Sequence, residues 1–546
     1  MKQACTNCGY SFEITDKDLA FYEKISPEFS GKKHPFPQPD MCPDCRQQCR
    51  MAHRNERSLY HRKCDKTGKQ LISMYSPEEP YLVYDQEVWW GDAFDPLEYG
   101  REFDFSLPFF EQFRALELLV PKIAIINAKS ENCMYTNYSA ENRNCYLVVG
   151  GLGSEDCYYS YRIFYSKDIC DCYDLYECQL CYECLESTKL YDCSYCEQCH
   201  NCANTILCKD CNGCKDCFGC VNLKNKQYYI YNRKFSKEDY EKKLSEIKNN
   251  FDAVRPDIEQ LHAQVPHRFA QQVQCENVSG DPLWQCKDCY NCFTLKKSQD
   301  CYHCRIGEGD KDCMDCNFFD NSELQYFNCN NEKNYNVSFS SLIWYSKHVL
   351  YSMNCFHSEY LFGCTGMKKN KYCILNKEYS KEEYEELMPK IIKHMQKTGE
   401  WGHFFPPEIS AFGYNETVAY DFTPLSEEEV RAKGWKWRQL HEASGSYMGP
   451  TTDTDDKDIC KKILTCKVSS KHYKIIPQEL KLYEEMGIPI PTSCPDQRHT
   501  DRMLRLNPRH LWSRSCAKCN KEIQTTYAPK RPEAVYCEEC YLAEVY

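Results

Sequence analysis

The sequence has no long hydrophobic run of the kind that crosses a membrane. Its most apolar stretch, residues 116–128, is short and is interrupted by Pro121 and Lys122. The opening residues, MKQACTNCGYSFEITDKD, contain no apolar signal segment. We therefore expect a cytoplasmic protein with no membrane partner. In that reducing compartment, cysteine usually serves as a metal ligand or a core residue rather than in disulfides.

The chain also lacks an excess of positive charge. It carries 68 lysines and arginines against 80 acidic residues, a net charge of −12. A uniformly basic nucleic-acid binder is thereby excluded, and any site for anions must be local. The length of 546 residues and the apolar fraction of 42% predict about three to five folded domains rather than a disordered chain.

Sequence motifs of the common enzyme classes are missing as well. The chain contains no nucleophile elbow, Walker loop, dinucleotide fingerprint or HExxH motif. We identify no catalytic residue and no small-molecule substrate. This favours a non-catalytic function and leaves enzymatic activity open.

Cysteine, by contrast, is abundant and regularly spaced. Of the 17 cysteines from Cys133 to Cys220, 16 share one three-residue phase, and a longer period of 12 residues runs through the same region. A 12-residue period is too short for a helical repeat but suits one coil of a narrow parallel β-solenoid. It also accounts for CxxCxxC runs, such as that beginning at Cys178, without an iron–sulfur cluster. We predict a mainly β protein.

The middle of the chain is duplicated. FGCVNLKNKQYYIYNRKFSKEDYE from Phe218 matches FGCTGMKKNKYCILNKEYSKEEYE from Phe362, an offset of 144 residues or twelve coils. We predict two narrow parallel β-solenoids with 12-residue rungs, at 131–235 and 274–378. Serine and other small residues replace cysteine at some inward positions, and we expect larger side chains to overpack the coil.

Helical segments are predicted to cap the solenoids. A helical connector spans 96–130, a second one spans 236–273, and 379–459 contains a helix, a Pro- and aromatic-rich segment and a flexible linker at 444–458. The helix candidates are 109–119, 236–249, 380–396 and a short helix that starts near Ser426.

The two ends of the chain are copies of each other. CTNCGYSFEITDKDLAFYEKI from Cys5 matches CKVSSKHYKIIPQELKLYEEM from Cys466, and the segment around Cys64 matches the segment around Cys516. We predict an N-terminal module at 1–95 and a C-terminal module at 460–546. Each is expected to contain one intact and one degenerate treble clef.

Each end module keeps one complete set of metal ligands. Paired CxxC motifs are the usual ligands of a closed structural zinc site, so we expect two zinc ions. The predicted ligands are Cys5, Cys8, Cys42 and Cys45 in the first module, and Cys516, Cys519, Cys537 and Cys540 in the last. The degenerate copies have Thr67, Asp85 and Val88, or Ser469 and Gln497, at ligand positions. We interpret the remaining Cys49, Cys64, Cys466 and Cys494 as core thiols.

Arginines recur at helical spacing beside these motifs. The candidate nucleic-acid-binding residues are Arg46, Arg50, Arg54, Arg57, Arg498, Arg502, Arg505 and Arg509. Two rigid helices that present arginine to phosphates would bind RNA or a ribonucleoprotein. Alternatively, the arginines cover apolar surface or pair with acids of the solenoids. The protein would then be a protein-interaction scaffold or a metal- or thiol-handling protein.

Three segments carry a resemblance to a known family. CPDCRQQCRMAHRNERSLY, FGYNET and KEIQTTYAPKRPEAVYCEECYLAEVY resemble an uncharacterised cysteine-rich protein family of candidate-phyla bacteria, over nearly the whole chain. The resemblance implies a bacterial cytoplasmic protein and no mechanism. The coenzyme A transferase label sometimes attached to that family finds no support in these residues.

Overall fold

The computed structural model describes residues 1–248, 251–439, 450–451 and 458–545. The protein is mainly β, and a β-solenoid of stacked coils of about 12 residues occupies its middle. The linker predicted at 444–458 lies outside the described residues, apart from 450–451 and 458. None of the described helices combines the length and apolarity needed to cross a lipid bilayer.

Twelve α-helices occur among the described residues. They are Asp16–Ile25, Pro43–Met51, Gln86–Trp90, Phe109–Leu119, Lys237–Lys248, Phe251–Gln264, Lys381–Thr398, Val418–Phe422, Glu427–Ala432, Pro477–Met486, Pro495–Arg505 and Glu538–Val545.

The strands fall into four groups along the chain. The N-terminal group is Lys2–Ala4, Ser11–Glu13, Glu28–Phe29, Lys32–Lys33, Tyr60–Lys63, Gln70–Ser73, Val83–Tyr84 and Lys122–Ile123. The second group is Asn127–Ala128, Ser139–Ala140, Glu155–Tyr158, Tyr161–Phe164, Lys167–Cys170, Tyr173–Tyr176, Gln179–Tyr182, Leu185–Thr188, Tyr191–Ser194, Ala203–Ile206, Lys215–Phe218, Gln227–Ile230 and Arg233–Lys234. The third group is His267–Arg268, Gln272–Val273, Leu283–Trp284, Phe293–Lys296, Gln299–Tyr302, Arg305–Glu308, Lys311–Asp320, Glu323–Glu332, Tyr335–Ser338, Ser341–Trp344, Lys347–Leu350, Met353–Phe356, Glu359–Phe362, Lys371–Ile374 and Lys377–Glu378. The C-terminal group is Pro450–Thr451, Ile463–Thr465, His472–Tyr473, Trp512–Ser515, Glu522–Thr525 and Val535–Tyr536.

Successive coils pair in parallel with a register of 12 residues. Cys181 lies opposite Cys193, and Cys193 lies opposite Thr205. The same register joins Cys301 to Cys313. We call the coils of residues 127–234 the first stretch and those of residues 272–378 the second stretch. The 12-residue coil predicted from the cysteine spacing is confirmed.

The backbone turns a corner at every third residue. Asp192, Tyr195, Gln198 and Asn201 have φ values between 51° and 55°, and each immediately precedes an inward-facing residue. Four such corners divide a 12-residue coil into four sides. Left-handed backbone is disfavoured by roughly 1–2 kcal/mol for most residues and is best tolerated by Asn, Asp and Gly, which explains why these types recur at the corners.

The thiols of the inward cysteines donate hydrogen bonds to backbone carbonyl oxygens. The Sγ of Cys193 lies 3.3 Å from the oxygen of Tyr191 and 3.6 Å from that of Cys202, and the other core thiols repeat this contact. Serine does the same, since the hydroxyl of Ser160 donates to the Tyr158 oxygen at 2.8 Å. Small side chains with a polar hydrogen therefore suit the interior because they leave fewer buried carbonyls unpaired.

Larger side chains also enter the core, which corrects part of the sequence interpretation. Ile163 and Leu175 are fully buried in the first stretch, and Phe319 is 3% exposed in the second. Phe319 fits because Gly307 occupies the equivalent position one coil earlier. A Cβ added to Gly307 would lie 2.7 Å from the phenyl ring. Large and small residues compensate each other along a column, as close packing requires.

Replacing Cys196 by phenylalanine should destabilise the protein by about 1–3 kcal/mol or more, because overpacking has little room to relax. Cys184 and Cys208, the residues one coil before and after, are both buried, and neither is glycine. Cys196→Ser and Cys196→Ala do not enlarge the side chain and should cost less. Urea unfolding of the three variants checks this expectation, and equal stability of all three would contradict it.

The predicted helical caps are confirmed in position. Phe109–Leu119 and Lys237–Lys248 match their candidates, and Lys381–Thr398 and Glu427–Ala432 each begin with a complete capping box. Each stretch of coils also ends in an antiparallel hairpin that precedes a capping helix. Capping is needed because the last coil of a solenoid would otherwise expose its core and strand edges.

The end modules lie against the coils. The helix Pro43–Met51 packs on the strands Lys311–Asp320 and Glu323–Glu332 of the second stretch. The helix Pro477–Met486 packs on Lys167–Cys170 of the first stretch. These two helices therefore contact different stretches of coils.

Candidate metal centres

Two groups of four cysteines bring their sulfurs together. The groups are Cys5, Cys8, Cys42 and Cys45, and Cys516, Cys519, Cys537 and Cys540, with all sulfurs of a group within 4.8 Å of one another. The Sγ atoms of Cys8 and Cys42 are 3.8 Å apart, and those of Cys519 and Cys537 are 3.7 Å apart. A tetrahedron with metal–sulfur bonds of about 2.3 Å has edges of about this length. Each group can hold one metal ion, and the grouping is the one predicted from the sequence.

A tight turn places the first pair of ligands in each group. The Gly9 N–H donates to the Cys5 oxygen at 2.9 Å, and φ of Gly9 is +73°. In the C-terminal module, Asn520 takes the same role for Cys516, with φ of 62° and an N–H···O distance of 2.9 Å. The turn needs left-handed backbone, which Gly and Asn tolerate.

The second pair of ligands lies at the start of a helix. Cys42 is the N-cap of Pro43–Met51 and Cys45 lies in its first turn, with proline at the first helical position. Unpaired N–H groups at a helix N-terminus favour a negatively charged thiolate, the form that binds metal.

Hydrogen bonds favour the thiolate at one sulfur in each group. The hydrogen bond with Cys45 lowers the pKa of Cys42 to about 5. Burial opposes ionisation of Cys516, but the backbone N–H groups of Cys519 and Cys537 outweigh it and lower the pKa to about 6. The hydrogen bond with Cys42 raises the pKa of Cys45, and the pKa values of Cys8, Cys537 and Cys540 are also raised. Each group therefore holds one sulfur that ionises readily at neutral pH.

The degenerate sites keep the turn without the ligands. The Gly68 N–H donates to the Cys64 oxygen at 2.8 Å, and the Ser470 N–H donates to the Cys466 oxygen at 3.1 Å. Cys64, Cys466 and Cys494 are at most 3% exposed, which agrees with their interpretation as core thiols. Packing and hydrogen bonds such as that between Ser469 Oγ and Cys494 Sγ, 3.5 Å, hold these sites in place of a metal.

The solenoid cysteines form no comparable group. Within the part of the chain that the structure describes, the two groups above are the ones in which three or more ligand atoms converge. The solenoid thiols instead contact backbone carbonyls.

The arginines of the C-terminal module meet acids of the first stretch. Arg498 and Arg502 are 4% and 2% exposed and pair with Asp171, at 3.0 Å and 2.6 Å. Arg502 also pairs with Glu183 at 3.1 Å. Arg505, which is partly buried, pairs with Glu183 and Glu197 at 3.0 Å and 2.8 Å. A helical turn advances about 5.4 Å and a coil about 4.8 Å, so successive arginines reach the acids of successive coils.

Arginines of the N-terminal module also contact the coils. Arg46 pairs with Asp315 of the second stretch at 2.7 Å, and Arg50 donates to Asn317 at 3.0 Å. The Arg54 guanidinium lies between the rings of Tyr138 and Phe318.

The remaining two candidates are partly exposed. Arg57 pairs with Asp496 of the C-terminal module at 3.3 Å, and Arg509 donates to the Tyr173 hydroxyl at 2.8 Å. Seven of the eight arginines therefore contact the coils, Arg57 contacts the C-terminal module, and the eight do not share one exposed face.

The acidic partners were not identified from the sequence. Asp171 and Glu183 are separated by one coil of 12 residues, and Asp315 lies in the second stretch. Acidic residues that recur at the 12-residue period lie on one side of the solenoid, and this spacing could have identified them from the sequence.

The sequence matches no protein-family model and no curated protein.

Proposed function

We propose that this is a non-catalytic RNA-binding protein in which two zinc-containing modules hold a pair of solenoids in a fixed arrangement. Zinc is the metal that four cysteines in a closed tetrahedral group select best. We assign both modules to the treble-clef type because a ligand-bearing turn is followed by a helix that begins with two more ligands. The bacterial family and the cytoplasmic location expected from the sequence belong to this proposal.

We infer that the two stretches are separate solenoids. In support, the first ends in the hairpin Gln227–Ile230 and Arg233–Lys234, and the second ends in the equivalent hairpin Lys371–Ile374 and Lys377–Glu378. A helix follows each hairpin. A continuous solenoid would need no cap between its coils.

One exposed side of the second stretch carries the RNA proposal. We define the aromatic–lysine face as two columns of residues at the coil period. The columns are Lys333, Tyr345, His357 and Lys369, and Tyr335, Lys347, Glu359 and Lys371. Tyr335 and Tyr345 are 40% and 43% exposed, so parts of both rings are accessible to a ligand.

The face offers stacked rings beside positive charge. The rings of Tyr345 and His357 are 4.9 Å apart and nearly parallel, at 14°. Lys347 and Lys369 make no ion pair within the described residues, whereas Lys371 pairs with Glu359 at 2.9 Å. Aromatic rings that stack on bases, together with lysines that contact the backbone, are typical of single-strand binding. The acidic charge elsewhere on the chain disfavours long duplexes.

Binding of single-stranded RNA should depend on both features. Replacing Tyr345 and His357 by alanine should weaken the affinity for a labelled oligouridine of about 12 nucleotides by roughly 1–3 kcal/mol per stacked base lost. Replacing Lys347 and Lys369 by glutamine should reduce the salt slope by about 0.7 per contact. Fluorescence anisotropy at several salt concentrations measures both effects.

The matched control is Lys215→Gln, which changes an exposed lysine on the first stretch and should leave the affinity unchanged. RNA affinity that is absent at low salt, or is unaffected by the four substitutions, would contradict the proposal. The face would then be assigned to a protein partner, as in the scaffold alternative.

A further inference from the structure

A cleft separates the two stretches of coils. Its volume is about 720 Å³, within the range of small-molecule sites. The hydrogen bond from the Tyr176 hydroxyl to Glu308, 3.2 Å, crosses it at one place. The bond from Gln271 to Asp210, 3.0 Å, crosses it at another. Tyr541 of the C-terminal module adds to the lining.

One wall of the cleft is a column of acidic residues. Asp174, Glu186, Gln198 and Asp210 follow one another at the coil period, and the strand register places them on consecutive coils. With about 4.8 Å between coils, Asp174 and Asp210 are separated by roughly 14 Å along the column. The carboxylates therefore form a line and do not converge on one point.

Other charged residues in the lining already have partners. Glu177 pairs with Lys189 at 3.5 Å, and Glu308 pairs with Lys297 at 2.7 Å. Arg268 pairs with Glu538, which does not line the cleft, at 2.6 Å. These pairs leave the acidic column without a matching set of cations on the opposite wall.

The column itself is short of positive charge. Glu186 and Asp210 accept hydrogen bonds from the amides of Gln198 and Gln271, at 3.2 Å and 3.0 Å. Neither makes an ion pair within the described residues. Asp174 is 5% exposed and pairs with Arg162 at 3.4 Å, so in the part of the chain that the structure describes the acids of the column without an ion pair are Glu186 and Asp210.

Two carboxyl groups of the column have raised pKa values. Burial raises the pKa of Glu186 to about 7, and the like charges of Asp174 and Asp281 add to the effect while Arg509 opposes it. Burial raises the pKa of Asp210 to about 6, with Glu197 and Asp281 acting in the same direction and Lys209 against it. A bound cation would favour the ionised carboxylates and displace their protons.

Aromatic rings complete the site. The Lys296 Nζ lies 3.7 Å from the ring centre of Tyr176 and 5.2 Å from that of Trp284. Burial lowers the pKa of Lys296, and no ion pair of this lysine occurs among the described residues. The arrangement shows that this end of the cleft accommodates an ammonium group against aromatic faces.

We propose that the cleft binds a linear polyamine, whose ammonium groups pair with Glu186 and Asp210. A single divalent metal ion needs several oxygens around one point, and the column spreads its carboxylates over four coils. A flexible chain with several ammonium groups fits both the spacing and the charge. This site is separate from the aromatic–lysine face proposed for RNA.

Isothermal titration of the full-length, RNA-free protein with spermidine tests the proposal. Binding near pH 7 should release roughly half a proton, because Glu186 with a pKa of about 7 is half protonated there, and the release is seen as a dependence of the heat on buffer ionisation. The double variant Glu186→Gln and Asp210→Asn should bind about tenfold more weakly or worse. Lys296→Gln should bind more tightly, because it removes a competing cation.

The matched control is Glu177→Gln, which removes an exposed acid already paired with Lys189 and should bind as the unmodified protein does. Thermal melting shows whether each variant is folded. Absence of spermidine binding, weaker binding by folded Lys296→Gln, or unchanged binding by the folded double variant would overturn the proposal. Variants of Tyr345 and His357 should keep their spermidine affinity, so this test is independent of the RNA proposal.

Discussion

Replacing Arg502 by alanine is expected to destabilise the protein by about 3 kcal/mol, because buried Asp171 then keeps Arg498 as its only arginine partner. Asp171 is 0% exposed, and Arg502 lies 2.6 Å from it. The same guanidinium also donates to the Tyr159 oxygen at 3.1 Å. Urea unfolding measured by fluorescence gives the free energy of unfolding.

The control for this variant is Arg57→Ala. Arg57 pairs with Asp496, whose side chain is 69% exposed, and exposed pairs contribute about 0–1 kcal/mol. A loss of less than about 1 kcal/mol for Arg502→Ala would show that this arginine does not hold the C-terminal module on the coils. The hypothesis that Arg502 binds nucleic acid would then have to be considered again.

Replacing Cys5 by serine is expected to remove one zinc ion and unfold the N-terminal module locally. Zinc binding supplies about 10–16 kcal/mol in small zinc-folded units, far more than the packing of one short helix. The C-terminal group of Cys516, Cys519, Cys537 and Cys540 does not share a ligand with the first group and should keep its metal. Elemental analysis and limited proteolysis report the two effects.

Two companion variants make the zinc experiment specific. Cys516→Ser should lose the metal of the C-terminal module and keep the metal of the N-terminal module. Cys64→Ser changes a buried thiol of a degenerate site and should leave both metals bound. Retention of two zinc ions by Cys5→Ser, or loss of both, would contradict independent sites.

The coil and the metal ligands could be predicted because both depend on local spacing. A 12-residue period determines which residues face inward, and two CxxC pairs in one module specify a four-sulfur site. The left-handed corners could not be predicted, since Tyr195 and Gln198 adopt them as well as Asn201, although most residue types disfavour this conformation. Nor did the spacing show that Phe319 and Gly307 share a column and fit together.

The partners of the arginines depend on packing between distant segments. Helical spacing showed that Arg498, Arg502 and Arg505 share a face, but it did not show what that face contacts. In the structure, the pitch of the helix is close to the spacing between coils, so these arginines lie opposite acidic residues of the first stretch. The sequence did not reveal the cleft for the same reason, because its walls come from two distant stretches. The column of Asp174, Glu186 and Asp210, spaced at the coil period, is the part of the cleft that can be recognised in the sequence.

The metal content of the unmodified protein, purified without oxygen, tests most directly the claim that two four-cysteine groups bind metal while the solenoid thiols serve as packing groups. Elemental analysis should find two zinc ions per chain, and a thiol reagent should reach the solenoid cysteines only after unfolding. A metal content near zero, several equivalents of iron, or metal that greatly exceeds two ions per chain would contradict the account.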